Sequence, residues 1–403
     1  MFKSRQFIIG VIISVIFLAW ALSSVDVHKV GNALLSADYW ALVPALVLYF
    51  TGVWVRAVRW RVLLRPILPR TGLWKTFEVV VIGYMANDVL PARIGELVRS
   101  YVLSKREGVR KTATLATIFV ERIFDGLTMI GFAAAVIAFV LIWDREALST
   151  GSGHRLGTLL TTYDVPIGIS ALIFLALLVV FIVVASSRAR VERLVSVALR
   201  LLPGRLHERA ERLAASFIDG LGSLRSATSM GMVFGLSVLA WLFEAGMYYV
   251  LGTVGFHLVG GDGELLPFYA YMLATAFANL STLLPQAPGY IGVFHAIALV
   301  VLAGAFGVNN NEAASYVLVL HAALVLPITL LGFLYLWRES LSWRELTGLE
   351  ETRAEAAVQA HELEGPLTDI ELVQEGKIGD SPAEADTVLE QAGEASRIST
   401  GGR

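Results

Sequence analysis

The sequence contains no cysteine, and only 16% of its 403 residues carry a charge. Without cysteine, a disulfide framework, a thiolate metal site and a cysteine nucleophile are all excluded. A soluble domain carries roughly 25% charged residues. The low charge and the 56% of hydrophobic residues therefore indicate a membrane protein. Because long apolar runs recur without strand-like alternation of comparable length, we predict an all-α, polytopic membrane helical bundle.

Signatures of nucleotide, metal and hydrolase chemistry are also missing. The sequence has no P-loop, no Rossmann fingerprint and no Gly-x-Ser-x-Gly elbow, and its seven histidines form no His-x-x-x-His pair. We therefore predict that the protein uses no cofactor and no metal, and that ATP does not drive it. His295 and His321 are interpreted as packed polar residues rather than metal ligands.

Six apolar runs are interpreted as full membrane spans. Their bounds are 7–22, 40–64, 112–143, 165–185, 230–254 and 313–337. The distribution of basic residues around them predicts that both termini are cytoplasmic, in a cell membrane. Four arginines lie at the end of the second run, and we interpret them as interfacial anchors that snorkel toward headgroups. They are Arg56, Arg59, Arg61 and Arg65.

Two further regions differ from the spans in composition. Residues 186–227 are rich in arginine and leucine, which predicts a cytoplasmic amphipathic insert lying on anionic lipid. Nucleic-acid binding is not expected there, because aromatic residues for base stacking are missing. Residues 345–403 carry 14 acidic and 4 basic residues. We predict a transmembrane domain over 1–344, followed by an acidic, disordered cytoplasmic tail.

A break interrupts the apolar pattern over residues 87–99, which read Asn-Asp-Val-Leu-Pro-Ala-Arg-Ile-Gly-Glu-Leu-Val-Arg. Pro91 removes a backbone donor and should end or kink the helix, and Gly95 follows it. Basic stretches on both sides place both flanks in the cytoplasm. Each arm of roughly 15 residues covers only about 22 Å as a helix. We therefore predict a re-entrant hairpin near 76–104 instead of two spans.

A second break has the same Leu-Pro-x-x-x-Gly spacing and contains Pro285, Pro288 and Gly289. The loops on either side of it carry acids and no base, so we place them outside the cell. A second re-entrant hairpin near 267–306 would then enter from the face opposite to the first. Two broken helices of opposite orientation indicate an inverted-topology repeat whose breaks meet near the bilayer midplane.

The residues around the breaks, with charged residues in the spans, form the predicted substrate site. They are Asn87, Asp88, Arg93, Glu96, Arg99, Glu121, Arg122, Asp125, Glu244, Asn279, Gln286, Gly289, Tyr290, Gly292 and His295. Half-helix N-termini near Ala92 and Gly289 would point N–H groups at an anion. Arg93 is the first candidate for a bidentate phosphate contact. Asn87 and Asn279 are candidates to satisfy freed backbone groups.

Several of these charges also have a purely structural interpretation. The pairs Arg93–Glu96 and Arg122–Asp125 have i,i+3 spacing and could simply neutralise each other. Glu121 and Glu244 have no adjacent base of their own once Arg122 is paired. We therefore favour a proton or headgroup contact for these two glutamates.

Three motifs resemble the lysylphosphatidylglycerol synthase transmembrane-domain family, also called flippase-like. They are the 87–99 run, Glu121-Arg122-x-x-Asp125, and Pro285-x-x-Pro288-Gly289-x-x-Gly292-Val293. The similarity covers about residues 5–340. The chain departs from the family pattern at Tyr290, where many members have glycine, and at His295, where many have glutamate.

The resemblance implies a multi-pass protein that moves a lipid or lipid-linked molecule between leaflets, with membrane lipids as partners, and that is not an enzyme. The family's synthase activity needs an extra soluble domain, which the tail is too short to supply, so we do not expect that activity. The alternative is a membrane-embedded enzyme or assembly subunit acting on headgroups, with Glu121 and Asp125 as an acid/base pair.

Overall fold

The computed structural model describes residues 5–23, 25–90, 94–143, 187–199, 213–222, 226–282 and 287–338. All of them belong to the first of the chain's two units, Met1–Thr347. Within these ranges the chain is helical, and its only β pairing is an isolated bridge between Val259 and Leu265. The all-α polytopic bundle predicted from composition is confirmed.

Eleven of the described helices have defined bounds. They are α1 (Arg5–Leu22), α2 (Val27–Ser36), α3 (Leu42–Leu64), α4 (Leu73–Val89), α5 (Gly95–Glu107), α6 (Lys111–Trp143), α7 (Arg188–Leu199), α8 (Ala227–Val250), α9 (Phe268–Ser281), α10 (Val293–Leu299) and α11 (Asn310–Arg338). Residues 213–220 are also helical. Short 3₁₀ turns precede α3 and α10, and π-helical turns follow α8 and α10.

Five helical stretches are long and apolar enough to cross a membrane, so the protein is a multi-pass membrane protein. They are Tyr39–Leu64, Lys111–Val140, Ala227–Gly255, Pro288–Ala305 and Asn310–Arg338. Four of them coincide with predicted spans. The fourth stretch, 288–305, is the second arm of the predicted hairpin, and its re-entrant course stays a prediction.

The structure describes the first predicted span, whereas three other predicted segments lie wholly or partly outside the described residues. The first predicted span coincides with α1, Arg5–Leu22. The predicted span 165–185 and the tail 345–403 lie outside the described residues, as does much of the insert 186–227.

Glycines allow the two arms of the first hairpin, α4 and α5, to pack closely. A Cβ on Gly95 would overlap the carbonyl oxygen of Gly83 and the side chain of Asn87. A Cβ on Gly83 would overlap the side chain of Arg99. On the other side of α4, a Cβ on Gly332 of α11 would overlap Met85. The backbone of α4 is therefore held at close range by both neighbours, which fixes the position of the break that follows it.

Candidate functional site

A hydrogen bond from a backbone N–H to a side-chain oxygen closes the first break. Helix α4 ends at Val89, and α5 begins at Gly95 with Ile94 as its N-cap. The Gly95 N–H donates to Asn87 Oδ1 at 2.7 Å. The predicted role of Asn87, satisfying a freed backbone group, is confirmed. The α-helix begins at Gly95 and not near Ala92, while Pro91 and Arg93 lie outside the described residues.

The second break combines several residues with left-handed backbone. A 3₁₀ turn begins at Pro288, and the α-helix begins only at Val293. Gly289 has φ 68° and Gly292 has φ 95°, which glycine adopts at no steric cost. Tyr290 has φ 60°, an uncommon conformation for a bulky side chain. The predicted site residue Gln286 and the break residue Pro285 lie outside the described residues.

The two breaks contact each other. A Cβ on Gly289 would lie 3.3 Å from the Asp88 carbonyl oxygen, so the backbones of the two breaks are neighbours. The Asp88 carboxylate accepts a hydrogen bond from Thr329 Oγ1 of α11 at 2.9 Å. This proximity agrees with the arrangement expected of two discontinuous helices.

A cavity of about 170 Å³ opens between the breaks and the helices α3, α6, α8 and α11. Seven predicted site residues line it: Asn87, Asp88, Arg122, Asp125, Glu244, Asn279 and Tyr290. The other described members lie outside its lining: Glu96, Arg99, Glu121, Gly289, Gly292 and His295. The structure therefore brings predicted site residues of both breaks and of the spans α6 and α8 to one cavity.

Arg59 lies at the centre of a buried ion-pair network. Its Nη1 lies 2.5 Å from Asp125 Oδ1, and its Nη2 lies 2.7 Å from Glu121 Oε1. Nη1 also donates to Ser237 Oγ at 2.8 Å. The prediction that Arg59 is an interfacial anchor is wrong, because carboxylates of α6 neutralise the guanidinium inside the bundle. Trp241 Nε1 also donates to Asp125 Oδ1, at 2.9 Å.

Arg56 pairs with the glutamate of α8. Its Nη2 donates to Glu244 Oε2 at 2.6 Å, and its guanidinium lies over the Trp241 ring, 4.4 Å from the centroid. Asn279 Nδ2 donates to Glu244 Oε1 at 3.0 Å. The anchor interpretation of Arg56 is therefore wrong. Among the described residues, the Asn279 side chain donates to Glu244 and to its own helix, at the Thr275 carbonyl.

Glu121 also has basic partners, contrary to the sequence interpretation. Besides Arg59, it faces Arg99, whose Nη2 lies 2.9 Å from Glu121 Oε2. These two atoms form an ion pair without the alignment of a hydrogen bond. The Arg99 guanidinium stacks on Trp60 at 4.1 Å. The absence of a base near Glu121 or Glu244, inferred from local sequence, is therefore wrong, because the bases come from distant segments.

Arg122 differs from the other arginines of the network. It forms the predicted i,i+3 pair with Asp125, with Nη2 3.2 Å from Oδ2. Its side chain is 28% exposed, whereas those of Arg56, Arg59 and Arg99 are 4% exposed or less. Its Nε is buried and has no hydrogen-bond partner in the described part of the chain. Arg122 is therefore the most exposed of these four guanidinium groups, and it lines the cavity.

Two histidines pack behind the second break. The rings of His295 and His321 lie 4.6 Å apart, nearly perpendicular, and His295 Nδ1 is 3.4 Å from the Gly292 N–H. His321 also lines the cavity. Their interpretation as packed polar residues agrees with this arrangement. No group of three metal-ligating side chains occurs among the residues described.

Sequence reasoning missed several side chains of the cavity. They are Tyr49, Arg56, Tyr84, Trp241 and His321. One signal could have revealed the arginine: three carboxylates buried within spans require nearby cations, because an isolated ion in the membrane is costly.

Comparisons with known proteins agree with this architecture. The family described as "Lysylphosphatidylglycerol synthase TM region" matches residues 7–332. A protein named "Glycosyltransferase AglD" from Haloferax volcanii is 26% identical over 366 residues, which is 88% of this chain but 57% of that protein. A "UPF0104 membrane protein" from Methanothermobacter thermautotrophicus is 26% identical over 318 residues, covering 76% of this chain and 87% of its own length.

Proposed function

Because this chain belongs to the lysylphosphatidylglycerol synthase transmembrane-region family, we propose that it moves a lipid or lipid-linked molecule between the leaflets of a cell membrane. The transported molecule carries an anionic phosphate headgroup. Both termini are cytoplasmic in this proposal.

The observation that carries the proposal is the position of Arg122 in the cavity between the two breaks. The main obstacle to lipid transfer is the passage of a charged headgroup through hydrocarbon. A partly exposed guanidinium that lines the cavity can offer a phosphate the directional hydrogen bonds that hydrocarbon cannot. The headgroup would cross along this cavity while the acyl chains stay in lipid.

The network around Arg122 leaves that guanidinium available. Asp125 already receives two hydrogen bonds from Arg59, at 2.5 and 3.2 Å, so it does not depend on Arg122 for a countercharge. An incoming phosphate can therefore take over part of the Arg122 guanidinium without leaving a buried carboxylate unpaired.

The alternative of a membrane-embedded enzyme receives less support. An acid/base pair must exchange protons readily with its substrate. Glu121 and Asp125 instead share the buried Arg59, and Glu121 lies outside the cavity lining. Such a network suits a fixed scaffold better than proton transfer.

The relative named a glycosyltransferase suggests one further class of headgroup. Its name concerns sugar transfer, and the chain covers 57% of its length, so the transferase activity is not carried over. The region common to the two proteins fits the handling of a lipid-linked sugar phosphate, and we include this class among the proposed cargoes.

Reconstitution into vesicles tests the proposal. Lipids with a fluorescent acyl chain and a phosphatidylglycerol, sugar-phosphate or phosphatidylcholine headgroup would be incorporated, and quenching from outside would report the outer-leaflet fraction over time. We expect movement of an anionic lipid above the protein-free rate. Arg122→Gln should slow it by roughly tenfold or more, since a hydrogen bond to a charged group contributes about 1.5–3 kcal/mol.

The matched control is Arg61→Gln, on the exposed side of α3, which should leave the rate unchanged. An unaltered rate of lipid movement in Arg122→Gln would show that Arg122 does not bind the transported headgroup. Protein-free rates for every headgroup would contradict the proposed function.

A further inference from the structure

Asp88 differs from the other two carboxylates of the cavity in its partners. Asp125 and Glu244 each form ion pairs with arginine. Asp88 accepts one hydrogen bond, from Thr329 Oγ1 at 2.9 Å, and forms no ion pair with any described residue. It is therefore a cavity carboxylate whose charge has no direct countercharge among the residues described.

Other titratable and charged groups face the same cavity from each neighbouring element. They are Tyr49 and Arg56 on α3, Tyr84 on α4, Arg122 and Asp125 on α6, Glu244 on α8, Tyr290 after the second break and His321 on α11. Glu96 lies half-buried on α5 beyond the lining. The two arginines of this set already pair with Glu244 and Asp125.

The backbone around Asp88 gives a negative charge no support either. The residue lies in the last turn of α4, where the free carbonyl groups form the negative end of the helix dipole. The hydroxyl of Thr329 suits both protonation states, because it can donate to a carboxylate and, after rotation, accept from a carboxylic acid.

We infer that Asp88 binds one proton when the anionic headgroup enters the cavity and releases it when the headgroup leaves. The inference rests on the proposed function and adds proton coupling to it. The Asp88 carboxylate and an anionic headgroup in the same cavity of about 170 Å³ repel each other. Protonation of Asp88 and binding of the anion must then favour each other equally, since coupling between two sites is reciprocal.

Binding measurements on the full-length protein test this coupling. The probe is a short-chain phosphatidylglycerol, whose phosphodiester keeps one negative charge throughout the range. Calorimetric titration in detergent from about pH 5 to about pH 9 should show affinity falling with rising pH, by up to tenfold per pH unit for one coupled proton. Buffers with different ionisation enthalpies should report uptake of about one proton per probe bound in that range.

Asp88→Asn supplies a permanently neutral side chain of the same shape. Its affinity should stay near the low-pH value of the parent at every pH, without proton uptake. His321→Gln should keep the pH dependence, and Asp262→Asn, in an exposed loop, should match the parent in every respect. If His321→Gln loses the dependence while Asp88→Asn retains it, the histidine is the coupling group and the inference is wrong.

The other outcomes separate this inference from the proposed function. A parent that binds the probe with the same affinity at every pH overturns proton coupling and leaves transport intact. A parent that neither binds the probe nor moves any anionic lipid overturns both. If Asp88→Asn does not fold, proton uptake on binding by the parent and by His321→Gln still tests the inference. A titrating Asp88 requires uptake in both proteins, and uptake missing from either one contradicts it.

Discussion

Asn87 Oδ1 accepts the backbone N–H of Gly95 at 2.7 Å, so a side chain before the first break holds the first peptide of the helix after it. The bond replaces the intrahelical acceptor that a helix N-terminus lacks. Its two members are eight positions apart, and both are buried. The break is therefore a fixed feature of the fold.

The first prediction concerns this bond. Asn87→Ala should lower the free energy of unfolding by about 1–3 kcal/mol, because it leaves a buried N–H without an acceptor. Thermal unfolding in detergent measures the loss. Asn309→Ala removes an exposed bond of the same kind, to Asn311 N, and should cost less. Equal costs would mean that the Asn87 bond does not hold the break.

The second prediction concerns the close contact between α4 and α5. Gly95→Ala should destabilise the protein severely, because its Cβ would overlap the Gly83 carbonyl oxygen. Gly131→Ala is the matched control: this glycine lies in α6, and a Cβ there would meet nothing within 4 Å. It should be neutral or stabilise by up to about 1 kcal/mol. The order of the two melting temperatures tests the packing, and a stable Gly95→Ala would contradict it.

The third prediction concerns Tyr290, which has φ 60°. Tyr290→Gly should raise the melting temperature, since a left-handed conformation costs a non-glycine residue about 1–2 kcal/mol. The same change removes a ring from the cavity lining and should broaden the range of headgroups moved. Tyr290→Ala keeps the strain and loses the ring, so it should change headgroup range without the gain in stability. A lower melting temperature for Tyr290→Gly would show that contacts of the ring outweigh the strain.

The fourth prediction concerns the buried arginine network. Arg59→Gln should destabilise the protein by about 3–5 kcal/mol, because Glu121 and Asp125 lose their shared partner inside the bundle. Arg61→Gln, two residues along the same helix but exposed, should stay within about 0.5 kcal/mol of the parent. Chemical denaturation in mixed micelles measures both, and similar values for the two variants would contradict the network's role.

The fifth prediction concerns topology. Because the natural chain has no cysteine, single cysteines at Val109 and Glu264 report their own side of the membrane. They should react with an impermeant maleimide from opposite sides if the two hairpins have opposite orientation. Labelling of both cysteines from the same side would contradict the predicted inverted repeat.

Local sequence was sufficient to predict the breaks and the first cap. Pro91 and Gly95 interrupt an apolar run within a few residues, and Asn87 is close enough along the chain to be a candidate partner for the freed backbone. Helix type and most span bounds follow from the same short-range information, namely the length and composition of each apolar run.

The ion-pair partners could not be predicted in this way. Arg56 and Glu244 are 188 residues apart, and Arg59 and Asp125 are 66 apart. Hydrophobic runs predict that helices form but not which helices become neighbours. Arginines near the end of a run are therefore interpreted as surface anchors when the helices that face them are unknown. The left-handed conformation of Tyr290 could not be predicted from local sequence either, because such backbone favours glycine and this position holds a tyrosine.

The pairing of Arg59 has a consequence for biosynthesis. Helix α3 leaves the ribosome well before α6 supplies Glu121 and Asp125, and long before α8 supplies the partner of Arg56. During that interval two arginines near the C-terminal end of α3 have no counterions from α6 and α8, at a cost of up to about 2.5–3.5 kcal/mol each if they enter the lipid. The nascent second span should therefore sit shallow in the bilayer, with Arg56 and Arg59 among the headgroups, and move to its final depth only when α6 and then α8 arrive.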